Sequence, residues 1–242
     1  MKTYNIIIAA LFTLSIHSLQ AQNLVVNSAF AGGSTTGWST SSSIEINPQS
    51  TYGGPSSSIY VTEIDMERSL SQQVCVLKGL TYTFTYQAAR RPQVGSPAST
   101  GIKVTVTGVT SNTSYVNSIQ AYTNTGWTPQ SMTFTVTIPS NSTDKKINIE
   151  FTPNNSTTTY GVIVWDIELA PASTNALSIN GPVTSGVSTP NNFSLTNSPA
   201  GASYNWAFSA DASSASSTSA TPTGISWASI GSKSVTASIS NG

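Results

Sequence analysis

Residues 81–88 read T-Y-T-F-T-Y-Q-A, an alternation of polar and aromatic side chains that decides the fold class. Successive side chains of an extended strand point to opposite faces, so the rings share one face and the threonines the other. Residues 132–138 (M-T-F-T-V-T-I) and 147–151 (I-N-I-E-F) repeat the pattern. Strands with one apolar side pack as two sheets around a common core. The sequence therefore predicts an all-β sandwich.

Other segments of this kind follow one another along the chain, separated by turn-forming Gly, Pro, Asn and Ser, and we find no amphipathic helix among them. The further strands predicted before residue 171 are 24–26, 57–62, 71–77, 102–107 and 161–169. Shorter strands are predicted after it, at 177–179, 193–196, 203–208 and 234–240. The Ser-, Ala- and Thr-rich stretch 209–223 is predicted to be a long mobile loop.

The chain begins with a pattern typical of a secretory signal peptide. Lys2 precedes a short apolar run at 6–14, and Ala21 offers a cleavage point. The run is too short for a membrane-spanning helix, which needs about 20 apolar residues. We therefore predict a signal peptide at 1–21, a large domain at 22–171 and a small domain at 172–242. The mature protein is expected to be secreted or held at the cell surface, without membrane insertion.

Composition excludes several function classes. Only 7% of the residues are charged, and nine Lys and Arg balance nine Asp and Glu, which argues against a nucleic-acid partner. The one histidine, His17, lies in the signal, and the one cysteine, Cys75, lies between valines in a predicted strand. The mature chain thus lacks the histidine of nucleophilic triads and the ligand pairs of zinc sites. We predict no catalytic residues, no metal site and no cofactor.

One group of carboxylates remains, since glycosidases use two. Glu63, Asp65 and Glu67 alternate and would share one face of a strand. A solvated edge or loop is the favoured interpretation, and a cation site or a catalytic pair are the alternatives. On this basis no hydrolase activity is expected.

Three stretches together resemble the carbohydrate-binding modules of families 4 and 9, which have a galactose-binding-like jelly-roll fold. The first is N-L-V-V-N-S-A-F at 23–30, followed by Gly37-Trp38. The second is L-S-Q-Q-V at 70–74 with G-L-T-Y-T-F at 79–84, and the third is G-V-I-V-W-D-I-E-L at 161–169. The resemblance spans most of residues 23–171 and implies that the large domain binds a glycan or polysaccharide.

The same resemblance bears on calcium. Family members often hold a structural calcium through acidic residues after the opening strand and in the closing strand. Ala31 and Trp165 stand at two of those positions, which leaves Asp166. Calcium prefers several oxygen ligands including carboxylates, so the sequence does not favour this site.

The small domain resembles the polycystic-kidney-disease (PKD) type of immunoglobulin-like repeat. The residues that carry this resemblance are G-A-S-Y-N-W-A-F at 201–208 and G-S-K-S-V-T-A-S-I-S-N at 231–241. The family's Gly-Asp-Gly is replaced by Ser-Ala-Asp at 209–211. The resemblance implies a spacer or adhesion module without chemistry of its own.

Sugar recognition needs aromatic faces for the pyranose ring and polar groups that fix its hydroxyls. Gln87 and Arg91 have the parity of the polar sheet face, while Tyr115, Tyr122 and Trp127 follow in a Ser-, Asn- and Thr-rich connection. These five are the predicted ligand-binding residues, with the loops near Tyr52 as the alternative location. We expect a monomer. Two other functions stay open: a structural or adhesin fragment of a larger surface protein, and the accessory modules of a larger secreted hydrolase.

Overall fold

The computed structural model confirms the all-β prediction: strands and two short 3₁₀ turns, at Ala31–Gly33 and Gln49–Tyr52, make up the regular structure of the described residues. The chain divides into two compact units between residues 174 and 175. No helix in the described part is long and apolar enough to span a membrane. The predicted signal peptide lies outside the described residues, which are 23–66, 68–92, 100–123, 126–154, 160–172, 178–196, 198 and 202–241.

The first unit is a jelly-roll sandwich of two five-stranded antiparallel sheets. Sheet A has the strand order β1-β4-β9-β6-β7, and sheet B has the order β2-β3-β10-β5-β8. The strands are β1 (Ser39–Thr40), β2 (Glu45–Pro48), β3 (Tyr60–Ile64), β4 (Leu70–Cys75), β5 (Thr81–Arg90), β6 (Thr100–Gly108), β7 (Ser114–Tyr122), β8 (Gln130–Thr137), β9 (Lys146–Pro153) and β10 (Val162–Pro171).

The core lies between the two sheets and follows the alternation of the strands. Tyr82, Phe84 and Tyr86 of β5 are at most 2% exposed and face inward. The ring of Tyr86 meets Phe151 of β9 edge-on, with centroids 5.1 Å apart. Burying one such ring stabilises the fold by about 1.5–3 kcal/mol. The threonines of β5 pair with those of β8 on the opposite, outer face of sheet B.

Two predicted segments differ from the structure. Residues 24–26 form no strand, because Asn27 takes a left-handed conformation (φ 52°) and the chain turns there. The connection predicted to carry Tyr115 and Tyr122 contains a further strand, β7, at the edge of sheet A. An edge strand is partly solvated, so its apolar alternation is weak and sequence patterns miss it.

A β-bulge in β10 decides what the outer face of sheet B carries. The register against β5 shifts between Trp165 and Glu168, and Asp166 has φ 52°. Before the bulge, Val162 and Val164 belong to the core between the sheets; after it, residues of the opposite parity do. Trp165 consequently faces away from the core. The sequence does not indicate this orientation, because Trp165 lies within a continuous apolar run.

The second unit has its own small core. Its sheets are β11-β12 and β14-β13-β15, and the core side chains include Trp206, which is 0% exposed. The predicted mobile loop 209–223 is instead tied to this core: it contains β14, and Trp206 Nε1 donates a hydrogen bond to Ser219 O at 2.9 Å. The strands are β11 (Ser178–Asn180), β12 (Ser194–Thr196), β13 (Ala202–Phe208), β14 (Ser216–Ser217) and β15 (Val235–Asn241).

Candidate functional site

The outer face of sheet B carries a second apolar cluster, separate from the core between the sheets. Strands β3, β10 and β5 each contribute to it, and the 3₁₀ turn before β3 covers it with Tyr52. Trp127, from the connection between β7 and β8, packs on it from outside. We call this set the outer aromatic cluster; its members are Tyr52, Val61, Ala89, Trp127, Ile163 and Trp165.

Two tryptophans form the centre of this cluster. The rings of Trp127 and Trp165 are stacked, with centroids 5.3 Å apart and an interplanar angle of 22°. Trp165 is 7% exposed, whereas Trp127 is half-buried and keeps part of its surface open to solvent. A Cβ at Gly54 would lie 2.8 Å from the Trp127 ring, so glycine at this position leaves room for the stack. Such a pair contributes about 0.5–1.5 kcal/mol beyond its buried area.

A buried ion pair lies beside the cluster. Arg91 Nη1 donates a hydrogen bond to Glu63 Oε2 at 2.7 Å, and Gly161 N donates one to Glu63 Oε1 at 2.8 Å. Glu63 is 0% exposed. The Arg91 guanidinium also lies over the rings of Tyr52, at 5.2 Å, and Tyr160, at 5.4 Å. Its position is therefore fixed by one carboxylate and two aromatic faces.

Three carboxyl groups share two guanidinium groups at this end of sheet B. Arg68 Nη1 lies 3.3 Å from Glu45 Oε1 and 3.2 Å from Asp65 Oδ1, while Arg91 serves Glu63. Burial raises the pKa of Glu63 to about 7, although the Gly161 hydrogen bond and Arg91 oppose the shift. Burial also raises the pKa of Asp65. The two guanidinium groups thus do not fully neutralise these carboxyl groups, and a carboxyl group can hold a proton near neutral pH.

The rim of the cluster offers polar groups. Asn47 Nδ2 donates to Tyr52 OH at 3.0 Å, and Tyr52 OH donates to Glu45 Oε2 at 3.3 Å. Gln87 stands beside Trp165 as its cross-strand partner. Further along the same face, three threonine pairs of β5 and β8 form a polar surface, called here the threonine rows: Thr81–Thr137, Thr83–Thr135 and Thr85–Thr133.

The structure brings together three of the five predicted ligand-binding residues. Gln87, Arg91 and Trp127 all lie at the outer face of sheet B, Gln87 and Arg91 through the predicted parity of β5. Tyr115 and Tyr122 lie on β7 in sheet A. Tyr122 is 1% exposed in the core, so the expectation that it stands outside the core is wrong. Tyr115 is half-buried, and its hydroxyl donates to Asp144 Oδ2 at 2.8 Å.

Sequence reasoning missed other residues of the site. Glu63 and Asp65 were expected at a solvated edge or loop, but they are 0% and 4% exposed, because the Tyr52 turn and the chain before β10 cover this end of the sheet. The third member of that triplet, Glu67, lies outside the described residues. Trp165 was hidden in an apolar run. Tyr160 follows a stretch with no strand pattern, and no sequence signal marked it.

The geometry of Glu63 does not favour the catalytic alternative. Both oxygens of Glu63 are engaged by Gly161 and Arg91, and the residue is closed off from solvent. It therefore has no free oxygen with which to protonate a glycosidic bond. Among the described residues, no group of three or more His, Cys, Asp or Glu side chains could hold a metal ion.

The calcium site implied by the family resemblance does not fit the residues present. Ala31 is exposed, Trp165 is committed to the stack, and Asp166 is exposed at the bulge. Asn27 is already used internally: its Oδ1 accepts from Ala31 N at 2.8 Å, and its carbonyl accepts from Trp38 Nε1 at 3.2 Å. The oxygens of Asn27 therefore accept hydrogen bonds, and the set of several oxygen ligands that calcium prefers is not formed.

The fold is a jelly-roll β-sandwich, and the sequence shows which family of such domains it belongs to. The sequence matches the CBM_4_9 family, described as a carbohydrate binding domain, over residues 22–159, which is more than half of the chain, and the chain belongs to that family. No curated protein matches the chain.

Several solved structures are similar to the chain. One, described as "CBM4 structure and function", has 18% identity and a TM-score of 0.42, covering 61% of this chain and 99% of that one. A family 61 module in complex with β-1,4-galactotriose has 15% identity and a TM-score of 0.46, covering 63% and 100%. The CBM22-1 xylan-binding domain of Paenibacillus barcinonensis Xyn10C has 12% identity and a TM-score of 0.42, covering 66% and 97%. The family assignment rests on the sequence match.

Proposed function

We propose that this chain is an exported, non-catalytic glycan-binding protein whose site is the outer face of sheet B around Trp127, Gln87 and Arg91. The observation that carries the proposal is the tryptophan stack in one cluster with Tyr52, over whose ring the Arg91 guanidinium lies, on a chain of a carbohydrate-binding family. The two together are the equipment that sugar recognition requires.

Each component has a distinct role in binding. The accessible part of Trp127 offers a flat apolar surface to the C–H groups of a pyranose ring. Arg91 and Gln87 donate hydrogen bonds to hydroxyls, and Glu45, whose side chain is 44% exposed, accepts them. The threonine rows extend the polar surface along β5 and β8, so a chain of several sugar units can lie across the face.

The rest of the molecule supports a binding role outside the cell. The signal-like N-terminus supports export to the medium or the cell surface, and the PKD-like pattern of 201–241 supports a spacer function for the second unit. With Glu63 sealed off, binding without bond cleavage is the expected activity. The protein acts as a monomer in this proposal, and it can serve as the accessory part of a larger hydrolase.

The second candidate is a structural or adhesive role, in which a protein surface is the partner. The threonine rows favour it, because they form an uncharged hydroxyl surface next to the aromatic cluster. The two candidate functions differ in whether Trp127 contacts the partner. Glycan binding depends on Trp127, whereas adhesion through the rows depends on Thr83 and Thr135.

A glycan array probed with the full chain, followed by calorimetry on the tightest oligosaccharide, tests the proposal. We expect Trp127→Ala to weaken binding about tenfold or more, since about 1.4 kcal/mol corresponds to a factor of ten. The matched control is Ile119→Ala, at a 59% exposed residue of β7 in sheet A, which should leave affinity unchanged. An array with no bound glycan, or equal losses in the two variants, would contradict the proposal.

A further inference from the structure

We propose that Glu63 is a positioning residue of the glycan site: its buried carboxylate holds Arg91 in the orientation that reads sugar hydroxyls, which couples binding to the ionisation of Glu63. The inference rests on the proposed function, because Arg91 is taken to contact the glycan. Glu63 itself does not touch the ligand, since it is 0% exposed.

The geometry gives Glu63 this role. It occupies only Nη1 of Arg91, by the 2.7 Å hydrogen bond, while the rings of Tyr52 and Tyr160 flank the guanidinium. Within the described part of the chain, Nε and Nη2 of Arg91 have no hydrogen-bond partner, and the side chain is 24% exposed. Two nitrogens of a rigid planar group are thereby available for adjacent hydroxyls.

The surroundings of Glu63 explain why its charge is conditional. The charged groups that face it are Arg91 at the end of β5, Glu45 on β2 and Asp65 after β3. Arg68 does not compensate, because it is shared between Glu45 and Asp65. Among the described residues of this group there is therefore one more carboxyl group than guanidinium groups. Burial raises the pKa of Glu63 to about 7, so protonation begins near neutral pH.

Protonation weakens the anchor. A neutral carboxyl group keeps a hydrogen bond but loses most of its attraction for the guanidinium. Arg91 then samples other orientations, and ordering it again on binding costs side-chain entropy. Glycan affinity should therefore fall as the pH drops through the pKa of Glu63, even though no group of the sugar titrates there.

The test is the dissociation constant of the tightest array oligosaccharide, measured from about pH 8 to about pH 5.5. We expect wild-type affinity to fall about tenfold over this range, and Glu63→Gln to bind weakly at every pH. Glu150→Gln, a matched change on β9 of the other sheet, should keep the wild-type profile. A flat wild-type profile, or a Glu63→Gln variant that binds like wild type, would overturn the inference.

A ligand-free measurement separates the inference from the proposed function. In an isotope-labelled wild-type chain, the signal of the Glu63 carboxyl carbon should titrate near neutral pH, and the signals of the Arg91 side-chain nitrogens should move with it. If no glycan binds at any pH, the proposed function fails, and this titration still tests the anchor. If Arg91 signals ignore the titration of Glu63, the anchor is wrong even where a glycan binds. The measurement needs no variant and is unaffected if Glu63→Gln fails to fold.

Discussion

Two buried carboxylates in the first unit have opposite surroundings. Asp144, in the turn between β8 and β9, is 2% exposed, and its oxygens accept hydrogen bonds from Thr110 N, Ser111 N, Ser111 Oγ and Tyr115 OH. Burial opposes its charge, but the hydrogen bonds lower its pKa to about 2. Glu63 has two donors and two acidic neighbours, and burial raises its pKa to about 7.

The difference distinguishes a carboxylate that joins two turns from one that lies in the proposed glycan site. At Asp144 the hydrogen bonds from Thr110 N and Ser111 N join the turn after β6 to the turn after β8, and a side chain at Gly108 would collide with the carboxylate. At Glu63 the charge is incompletely satisfied, and the arginine that balances it lies over the rings of Tyr52 and Tyr160. Incomplete satisfaction of buried charge is costly for stability and is tolerated where a group has a task.

The largest effect is expected at the structural carboxylate. Asp144→Ala removes the acceptor of five donors, the four above and Ser142 Oγ, so we expect the free energy of unfolding to fall by about 4 kcal/mol. Asp144→Asn, which keeps one oxygen, should cost less. Denaturant unfolding measures both, with Glu150→Ala on the outer face of sheet A as the control that changes stability by about 0.5 kcal/mol or less. Equal stability of Asp144→Ala and the control would show that Asp144 is not a structural anchor.

The second effect is the pH dependence of stability, which has opposite signs at the two sites. The folded-state pKa of Glu63, about 7, lies above the ordinary value of 4.5. Its contribution to the free energy of unfolding is therefore present below about pH 4.5 and is lost as the pH rises through 7. At about 1.4 kcal/mol per pKa unit, the loss is about 3 kcal/mol. The folded-state pKa of Asp144, about 2, lies below the ordinary value of 3.8. Its contribution to the free energy of unfolding is therefore present above pH 3.8 and is lost as the pH falls toward 2.

Denaturant titrations across this pH range check the signs. In Glu63→Gln the decline between about pH 5 and about pH 8 should disappear, because the amide does not titrate. In Asp144→Asn, only the fall of stability at acid pH should change. A wild-type stability that stays flat from about pH 5 to about pH 8 would instead mean that Arg91 keeps the carboxylate ionised throughout.

In these two regions, the sequence predicts which side chains of a single strand face inward and which face outward. The inward rings of β5 and the outward Gln87 follow from a period of two. The burial of Glu63 depends on the Tyr52 turn and on the chain before β10, which local patterns do not place. Trp165 faces outward because of a bulge, and Tyr122 faces inward from an edge strand that reads as a loop. These are tertiary effects, and the site is assembled from them.

The smallest effect is expected from calcium removal. Ala31 is exposed, Trp165 is stacked, and the oxygens of Asn27 are engaged in hydrogen bonds. The melting temperature should therefore be unchanged by a chelator. A calcium ion bound only to the native state would stabilise by about 2.7 kcal/mol at a hundredfold excess over its Kd, so a clear drop in melting temperature would reveal a site overlooked here.

The central claim is that glycan binds at the outer face of sheet B, and chemical-shift mapping tests it most directly. An isotope-labelled chain is titrated with the tightest oligosaccharide from the array, and the residues whose signals move are placed on the structure. The account predicts shifts centred on the Trp127 indole, Gln87 and Arg91, extending to Trp165. Shifts centred instead on sheet A, at Thr105, Asn117 and Ile119, would contradict it.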